Sequence, residues 1–303
     1  MLINCNICGS KEIKYYGITQ CIDFCVPSGV ELSRHVFKCK KCHSLSIYPI
    51  PTNEVLASYY TNYANTRVGT QTWHNRKVTK ILIPLIKTIG GGKVLDIGCA
   101  NGNLLDLLPS SLEKYGVEIA ENAVAEAETK NIKVITVPWE KVEFDFKFDV
   151  IIALDFLEHV LNPWFSFKKM VDLLRPDGLL VIETGNADSL IARSLKNDWA
   201  YIAAFGHLGA LSAKALIFYS EKANVKVLKI AKGYHSRIHP GIILYRGMLA
   251  YGFRVIKIYY SLLGIKQFKK RSFYNILNSP PIAAALPDHM IFVGQKIKED
   301  NKQ

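Results

Sequence analysis

The feature that most constrains the fold is a short apolar strand that ends near an acid and turns through small residues into a helix. Lys93–Ile97 is this strand and contains Asp96, Gly98–Gly102 (G-C-A-N-G) is the turn, and Leu104–Leu108 has a helical pattern. Small residues let a ligand approach the backbone, where free amides and a helix N-terminus favour polar or anionic groups. The segment predicts a strand–loop–helix unit of an α/β sheet with a ligand at the loop.

The spacing of the loop narrows the class of ligand. A dinucleotide fingerprint requires G-x-G-x-x-G, but the residue two positions after Gly98 is Ala100. Glu118 ends the next predicted strand, 22 positions after Asp96, and a carboxylate there can accept hydrogen bonds from two ribose hydroxyls. We therefore expect an adenosine-type ligand other than a nicotinamide cofactor.

The chain divides into three segments: a cysteine-rich module at 1–50, a helical linker or lid at 51–90, and an α/β domain at 91–298. Alternating strands and helices are typical of a doubly wound sheet. The predicted strands are Lys93–Ile97, Lys114–Glu118, Lys133–Thr136, Asp149–Leu154, Leu179–Thr184, Val225–Ala231 and Met290–Gln295. The predicted helices are Val78–Ile89, Leu104–Leu108, Asn122–Thr129, Trp164–Leu174 and Ser212–Lys222. Ser212 is the expected N-cap of its helix, and Arg175–Gly178 is an expected turn.

Four segments in this order resemble the class I S-adenosylmethionine-dependent methyltransferases, across residues 90–298. They are V-L-D-I-G-C-A-N-G at Val94–Gly102, G-V-E at Gly116–Glu118, F-D-V-I-I-A-L-D-F-L-E-H-V at Phe148–Val160 and L-R-P-D-G-L-L-V-I-E-T at Leu174–Thr184. The resemblance implies a Rossmann-like seven-stranded sheet, mostly parallel with an antiparallel last strand, that binds S-adenosyl-L-methionine.

The resemblance also implies the roles of the cofactor residues. Asp96 and the backbone around Gly98 would hold the methionine part, and Glu118 would hold the ribose. Trp139 and Glu140 would lie beside the adenine, whereas Leu154 and Asp155 would close the pocket beneath the cofactor. The predicted set is Asp96, Gly98, Cys99, Ala100, Gly102, Glu118, Trp139, Glu140, Leu154 and Asp155. We interpret Cys99 as a small packing residue of the loop rather than a nucleophile.

Candidate catalytic residues follow the ends of strands, where ligands of α/β sheets bind. Methyl transfer from a sulfonium is an in-line displacement with an activated leaving group, so the protein mainly positions the acceptor. An oxygen or carbon acceptor usually also requires a base. The candidates are Glu158, His159 and His207, although Glu158 and His159 could instead only cap and orient the chain.

Two C-x-x-C pairs predict a structural metal site in the first segment. Cys5, Cys8, Cys39 and Cys42 offer four thiolates, which suit tetrahedral Zn²⁺ in a zinc-ribbon-like module. Cys21 or Cys25 could replace one ligand. An iron–sulfur cluster or free thiols in a reducing cytosol are the alternatives.

A tyrosine-rich segment at Tyr59, Tyr60 and Tyr63 follows the cysteine module. This order of module, tyrosines and class I core resembles methyltransferases that act on nucleotide-linked sugars and surface polysaccharides. The resemblance implies a small-molecule acceptor, namely a sugar or surface-glycan intermediate, nucleotide- or lipid-linked. The tyrosines could cover the pocket or simply pack on the core.

The formal net charge is +12, and basic residues are dense in an insert at 233–287, notably Lys266–Arg271. The insert could cap a phosphate-bearing substrate, rest peripherally on anionic lipid, or serve as a packing or homodimer helix. The apolar stretch Ile242–Gly264 is interrupted by charges, so we expect no membrane span. Without a signal-peptide pattern at the start, we expect a cytoplasmic protein, for which peripheral contact with the membrane stays open.

Two other functions are consistent with the same residues. The zinc module and positive charge fit an RNA methyltransferase, but no Asn-Pro-Pro-Tyr-like sequence follows the fourth strand, and we consider a nucleic-acid partner the weaker alternative. A non-catalytic cofactor-binding protein of the same fold is the second. The intact Asp96, Glu118 and glycine loop argue against it.

Overall fold

The computed structural model describes residues 3–21, 23, 25–66, 77–233, 255 and 287–298. The basic insert, apart from Gly233, Val255 and Pro287 at or within its bounds, lies outside the described residues, so its three interpretations stay predictions. None of the helices within these described ranges is long and apolar enough to cross a membrane.

The described elements alternate as the sequence predicts. The strands are β1 (Ile13–Gln20), β2 (Ser33–Cys39), β3 (Leu45–Tyr48), β4 (Gly92–Ile97), β5 (Leu112–Val117), β6 (Lys133–Ile135), β7 (Phe148–Leu154), β8 (Leu174–Gly185), β9 (Gly209–Ala210), β10 (Val225–Gly233) and β11 (His289–Lys296). The helices are α1 (Asn53–Thr66), α2 (Lys77–Ile89), α3 (Asn103–Asp106), α4 (Glu121–Glu128), α5 (Pro163–Leu173), α6 (Leu190–Leu195), α7 (Ala200–Ala203) and α8 (Ala213–Lys222).

A seven-stranded sheet has the order β10-β11-β8-β7-β4-β5-β6. The pairs from β8 to β6 are parallel, whereas β11 pairs antiparallel with both β8 and β10. The predicted Rossmann-like sheet with an antiparallel last strand is therefore confirmed. The order also places the carboxyl ends of β4, β5, β7 and β8 at one edge, where ligands of such sheets bind.

The central strand β7 explains the layered core. All seven of its residues are buried, which is typical of a parallel strand covered on both faces. Val150 and Ile152 belong to one apolar cluster with residues of α2, whereas Ile151 and Ala153 belong to another with residues of α5 and α8. Helices thus cover both faces and leave the strand ends for the site.

The N-terminal segment forms a second sheet of order β1-β2-β3-β9. Its fourth strand, β9, comes from the segment between α7 and α8, and it pairs antiparallel with β3. Side chains reinforce this join: Ser212 Oγ donates to the Cys42 carbonyl, and Asn6 Nδ2 donates to the Leu208 carbonyl at 2.9 Å. The cysteine module is therefore bonded directly to the chain that precedes α8.

Two local predictions differ from the structure. The helix expected at Leu104–Leu108 begins at Asn103 and ends at Asp106. The turn expected at Arg175–Gly178 lies inside β8, where the register against β7 jumps from Leu174 to Leu179 and Asp177 has a φ of 63°. The extra residues form a bulge, because Pro and Gly interrupt the strand without ending it. Ser212 caps α8 as expected, since its side chain accepts from the Ala215 amide at 3.0 Å.

Candidate functional site

The loop after β4 leaves space beside its backbone. Gly98 has a φ of 75°, which favours glycine, and a Cβ there would meet nothing nearer than the Phe156 ring at 3.9 Å. In contrast, a Cβ at Gly102 would lie 2.3 Å from Ile132, so that glycine permits close packing of the following helix. Open space therefore lies at the start of the loop, whereas its end is packed.

Cys99 and Ala100 form the middle of this loop. The buried Cys99 side chain lies 2.4 Å from where a Cβ at Gly116 would be, and burial raises the pKa of its thiol. This packing agrees with the interpretation of Cys99 as a structural residue. Ala100 has a φ of 46°, and its amide donates to the Glu118 carboxylate at 3.0 Å.

Asp96 is a buried acid at the end of β4. Its side chain is 4% exposed, and burial together with the nearby Glu118 carboxylate raises the pKa of Asp96 to about 8. No hydrogen bond to this carboxyl group is found among the described residues. A cationic ligand group beside Asp96 would favour its ionised form.

Glu118 binds the backbone at the end of β5. Its Oε1 accepts from the Ile119 and Ala120 amides at 2.8 and 2.9 Å, and its Oε2 accepts from Ala100. These contacts fix the carboxylate beside the glycine loop. Because Oε1 already accepts two bonds, Oε2 is the oxygen with remaining capacity for a ligand hydroxyl.

Trp139 and Glu140, predicted beside the adenine, differ in exposure. Trp139 is 4% exposed, and its ring meets Phe156 edge-on with a 6.2 Å centroid distance. Its Nε1 is buried without a hydrogen-bond partner among the described residues. The Glu140 side chain is exposed, and the Lys169 ammonium holds the carbonyls of both residues at 2.8 and 3.0 Å. Phe156 is also the residue nearest to Gly98, so it connects Trp139 with the start of the loop. The Glu140 side chain lies in solvent instead.

The three predicted catalytic side chains come together. One ligand atom from each of Glu158, His159 and His207 lies within 4.8 Å of the others, and the two imidazole centroids are 4.7 Å apart. Glu158 is 1% exposed, and burial raises the pKa of its carboxyl group. Burial and the neighbouring His159 lower the pKa of His207 well below its usual value.

Hydrogen bonds orient this group. Glu158 Oε2 accepts from Thr184 Oγ1 at 2.9 Å. His159 Nδ1 lies 3.0 Å from the Gly206 carbonyl and 3.1 Å from the Tyr60 hydroxyl, while His207 Nδ1 lies 2.6 Å from the Tyr201 carbonyl. Tyr60 therefore contacts the site, as a covering role for the tyrosine segment requires. The side chain of Tyr63 lies outside what the structure describes.

A second polar cluster borders the end of β7. Leu154 is buried, and Asp155 has a φ of 51° with its amide bonded to the Glu183 carbonyl at 2.8 Å. Asp155 Oδ1 lies 3.6 Å from His289 Nε2. Burial opposes protonation of His289, but a hydrogen bond to Asp288 and the nearby carboxylates outweigh it and raise its pKa to about 9. A cationic imidazole can thus balance Asp155.

Arg34 links the N-terminal sheet to the loop that carries His207. Its guanidinium is 1% exposed and donates to four backbone carbonyls at 2.7 to 3.2 Å, those of Ile202, Ala204, Phe205 and His207. Nothing in the local sequence indicates this role, because the acceptors lie about 170 positions away. The sequence motifs also do not indicate three further residues that contact the predicted site residues, namely Tyr201, Thr184 and His289. Only Thr184 has a sequence signal, since it ends a predicted strand.

The four predicted metal ligands also form one cluster. Their sulfur atoms lie within 4.8 Å of one another, with Cys5 and Cys42 at 3.7 Å and Cys8 and Cys39 at 3.6 Å. Tetrahedral Zn²⁺ with Zn–S bonds of about 2.3 Å requires sulfur separations of roughly 3.8 Å. All seven cysteines are free, and a hydrogen bond from Cys42 lowers the pKa of the Cys5 thiol to about 5. Cys21 and Cys25 lie outside the cluster.

Curated proteins with a similar sequence match part of this chain. Two curated relatives are an ubiquinone biosynthesis O-methyltransferase of Bradyrhizobium diazoefficiens, 29% identical over 110 residues, and (S)-coclaurine N-methyltransferase of Papaver somniferum, 28% identical over 165 residues. The matches cover 33% and 49% of this chain and 43% and 47% of those proteins. The chain therefore spans less than half the length of either relative.

Among solved structures, N-methyltransferase NodS from Bradyrhizobium japonicum, in complex with S-adenosylhomocysteine, aligns with a TM-score of 0.49 and 12% identity. The alignment covers 78% of this chain and 98% of NodS. The protein family described as a methyltransferase domain matches residues 72–230, which is more than half of the 303 residues. The chain belongs to this methyltransferase-domain family.

Proposed function

We propose that the protein transfers the methyl group of S-adenosyl-L-methionine to a small-molecule acceptor. The observation that carries the proposal is the strand-end arrangement of a buried Asp96, an open backbone at Gly98 and a fixed Glu118. These residues fit the cofactor, because Asp96 suits a cationic amino group and Glu118 Oε2 can accept from a hydroxyl. The Trp139 ring contacts Phe156, the residue nearest to Gly98, and its buried Nε1 has no hydrogen-bond partner among the described residues.

When bound, the cofactor supplies an activated methyl group, so the protein's task is to hold the acceptor in line. Glu158 and His159 follow the end of β7, His207 precedes β9, and the three side chains are held by Thr184, Gly206 and Tyr201. We infer that this group binds the acceptor and removes its proton. Both imidazoles are oriented through Nδ1, which leaves Nε2 available.

We propose that the acceptor is a sugar or surface-glycan intermediate, nucleotide- or lipid-linked. Polar side chains converge at the site from distant segments, namely Tyr60, Glu158, His159, Thr184, Tyr201 and His207. These groups already bond to one another and to backbone atoms, and an acceptor that carries several hydroxyls can form further hydrogen bonds with them, whereas an apolar acceptor can form none. The relatives described above act on other molecules by their names, so this acceptor rests on the site and on the sequence resemblance.

We further propose that Cys5, Cys8, Cys39 and Cys42 bind a structural Zn²⁺. The sulfur separations support four equivalent ligands without an open position, which suits a structural rather than a catalytic ion. The metal would stabilise the small N-terminal sheet, and through it Arg34 and the His207 loop. Peripheral membrane contact and dimerisation through the basic insert remain predictions.

A labelled-methyl assay tests the acceptor class. The protein is incubated with S-adenosyl-L-[methyl-³H]methionine and either a panel of nucleotide-linked sugars or total RNA. We expect label in the sugar fraction, lost in Glu118→Gln and kept in Glu121→Gln, an exposed neighbour on α4. Label in RNA instead of sugar would contradict the acceptor, and label in neither fraction would leave it without support.

A further inference from the structure

Glu158, His159 and His207 bring one carboxylate and two imidazoles together at the proposed acceptor site. Removal of one proton requires only one base, so that role does not explain all three groups. Glu158 and His159 follow β7, and His207 precedes β9, so two distant segments deliver three donors to one point. One donor atom of each lies within 4.8 Å of the others. This group is separate from the four cysteines and contains no sulfur.

The contacts of the imidazoles determine which nitrogen atoms are available. His159 Nδ1 lies 3.0 Å from the Gly206 carbonyl, and His207 Nδ1 lies 2.6 Å from the Tyr201 carbonyl. A carbonyl oxygen only accepts hydrogen bonds, so both Nδ1 atoms carry the proton when the rings are neutral. Each Nε2 then presents a lone pair. A ring that donates through one nitrogen to a backbone carbonyl is the usual arrangement of a metal-binding histidine.

Glu158 supplies a second, independent observation. Its side chain is 1% exposed, and Oε2 is bound by Thr184 at 2.9 Å. Its other oxygen, Oε1, is buried and accepts no hydrogen bond of ordinary geometry among the described residues, although the Tyr201 hydroxyl lies close enough to interact with the carboxylate. A buried carboxylate oxygen without a donor is costly, and a cation held between it and the two Nε2 atoms would satisfy it.

We propose that Glu158, His159 and His207 bind a divalent metal ion at the acceptor site. Two imidazoles and one carboxylate suit Mn²⁺, Fe²⁺, Co²⁺ or Zn²⁺ and leave positions open for oxygen ligands. An acceptor hydroxyl can occupy such a position, and coordination to a divalent ion lowers the pKa of a bound oxygen. With the metal bound, both Nε2 atoms are ligands and no longer act as bases, so the metal takes over activation of the hydroxyl and its proton is released to water. The metal's role rests on the proposed function, whereas its binding does not.

Manganese provides a selective probe, because it prefers oxygen and nitrogen donors and avoids thiolates. The 303-residue chain, with its cysteines loaded with Zn²⁺, is titrated with Mn²⁺, and free Mn²⁺ is followed by electron paramagnetic resonance. We expect one bound Mn²⁺ per chain. Glu158→Gln and His207→Gln should each weaken binding by roughly 100-fold or more, because loss of a direct ligand costs more than the roughly 10- to 100-fold that loss of an outer-shell partner costs. The matched controls Glu128→Gln and His35→Gln alter exposed residues outside the site and should bind as the wild type does.

Titration with S-adenosylhomocysteine separates the two proposals and shows that each variant is folded. Wild-type protein that binds S-adenosylhomocysteine but no Mn²⁺ would overturn the metal site and leave the methyltransferase proposal standing. Mn²⁺ binding that is unchanged in Glu158→Gln and His207→Gln, both still binding S-adenosylhomocysteine, would also overturn it. Mn²⁺ binding without S-adenosylhomocysteine binding would support the metal site and contradict the proposed function.

Discussion

At the residue scale, the burial of Asp96 has a consequence for ligand binding. Burial and Glu118 raise its pKa to about 8, so the folded protein retains this proton at neutral pH. The unfolded chain loses it near pH 4. Asp96 therefore lowers the free energy of unfolding of the ligand-free protein as pH rises from about 4 to about 8. A bound cationic amino group would favour the ionised form and reverse this shift.

We therefore predict that binding of S-adenosylhomocysteine at pH 7 releases close to one proton from Asp96. Calorimetry in buffers of different ionisation enthalpy measures this number directly. The release should disappear at pH 9.5, where Asp96 is already ionised, and in Asp96→Asn. Equal heats in all buffers at pH 7 would show that Asp96 does not contact the cation.

At the element scale, the loop between α7 and β9 depends on a side chain from β2. Arg34 donates to the carbonyls of Ile202, Ala204, Phe205 and His207, and this segment carries the His207 imidazole. Because the guanidinium is buried, Arg34→Met would remove four donors and leave their acceptors without them.

We predict that Arg34→Met lowers the free energy of unfolding by about 3 kcal/mol and lowers kcat by roughly tenfold. The affinity for S-adenosylhomocysteine should not change. Arg34→Lys should not restore kcat, because an ammonium cannot bridge four carbonyls in a plane. Urea denaturation and steady-state kinetics measure both effects, with Arg193→Met on the exposed side of α6 as the control. A folded Arg34→Met enzyme with wild-type kcat would contradict this positioning role.

Sequence patterns predict those elements whose signal lies within their own residues, such as an apolar run or a capping side chain. The continuous apolar run of β7 and the cap at Ser212 are local signals, and both are confirmed. β9 has only two residues and forms because β3 offers an open edge, so no periodicity could indicate it. The same limit applies within the site: the strand ends indicated Asp96, Glu118 and Glu158, whereas Arg34 and Tyr201 arrive through tertiary packing.

At the scale of the whole molecule, the cofactor loop and the cysteine module are built from different parts of the chain. Among the described contacts of Asp96–Gly102 and Glu118, none involves the N-terminal sheet. That sheet instead contacts the segment around His207 through β9, Asn6 and Arg34. Loss of the proposed zinc ion should therefore affect the segment around His207 and spare the loop after β4.

We predict that chelation of zinc increases amide hydrogen exchange in β1–β3 and in residues 202–210, whereas β4, β5 and β7 stay protected. Methyl transfer should fall, and the affinity for S-adenosylhomocysteine should stay within about twofold, because binding at the strand ends is independent of the module. Re-addition of Zn²⁺ should restore protection. Exchange that is identical with and without chelator would show that no metal bound by the four cysteines holds the module together.

The central claim is that the strand-end loop after β4 binds an S-adenosylmethionine-type cofactor. Calorimetric titration of the wild type with S-adenosylhomocysteine tests it most directly, with Glu118→Gln and the exposed Glu121→Gln measured alongside. We predict one site per chain, at least tenfold weaker in Glu118→Gln and unchanged in Glu121→Gln. Absence of binding to the folded wild type, or equal affinity in all three proteins, would contradict the claim.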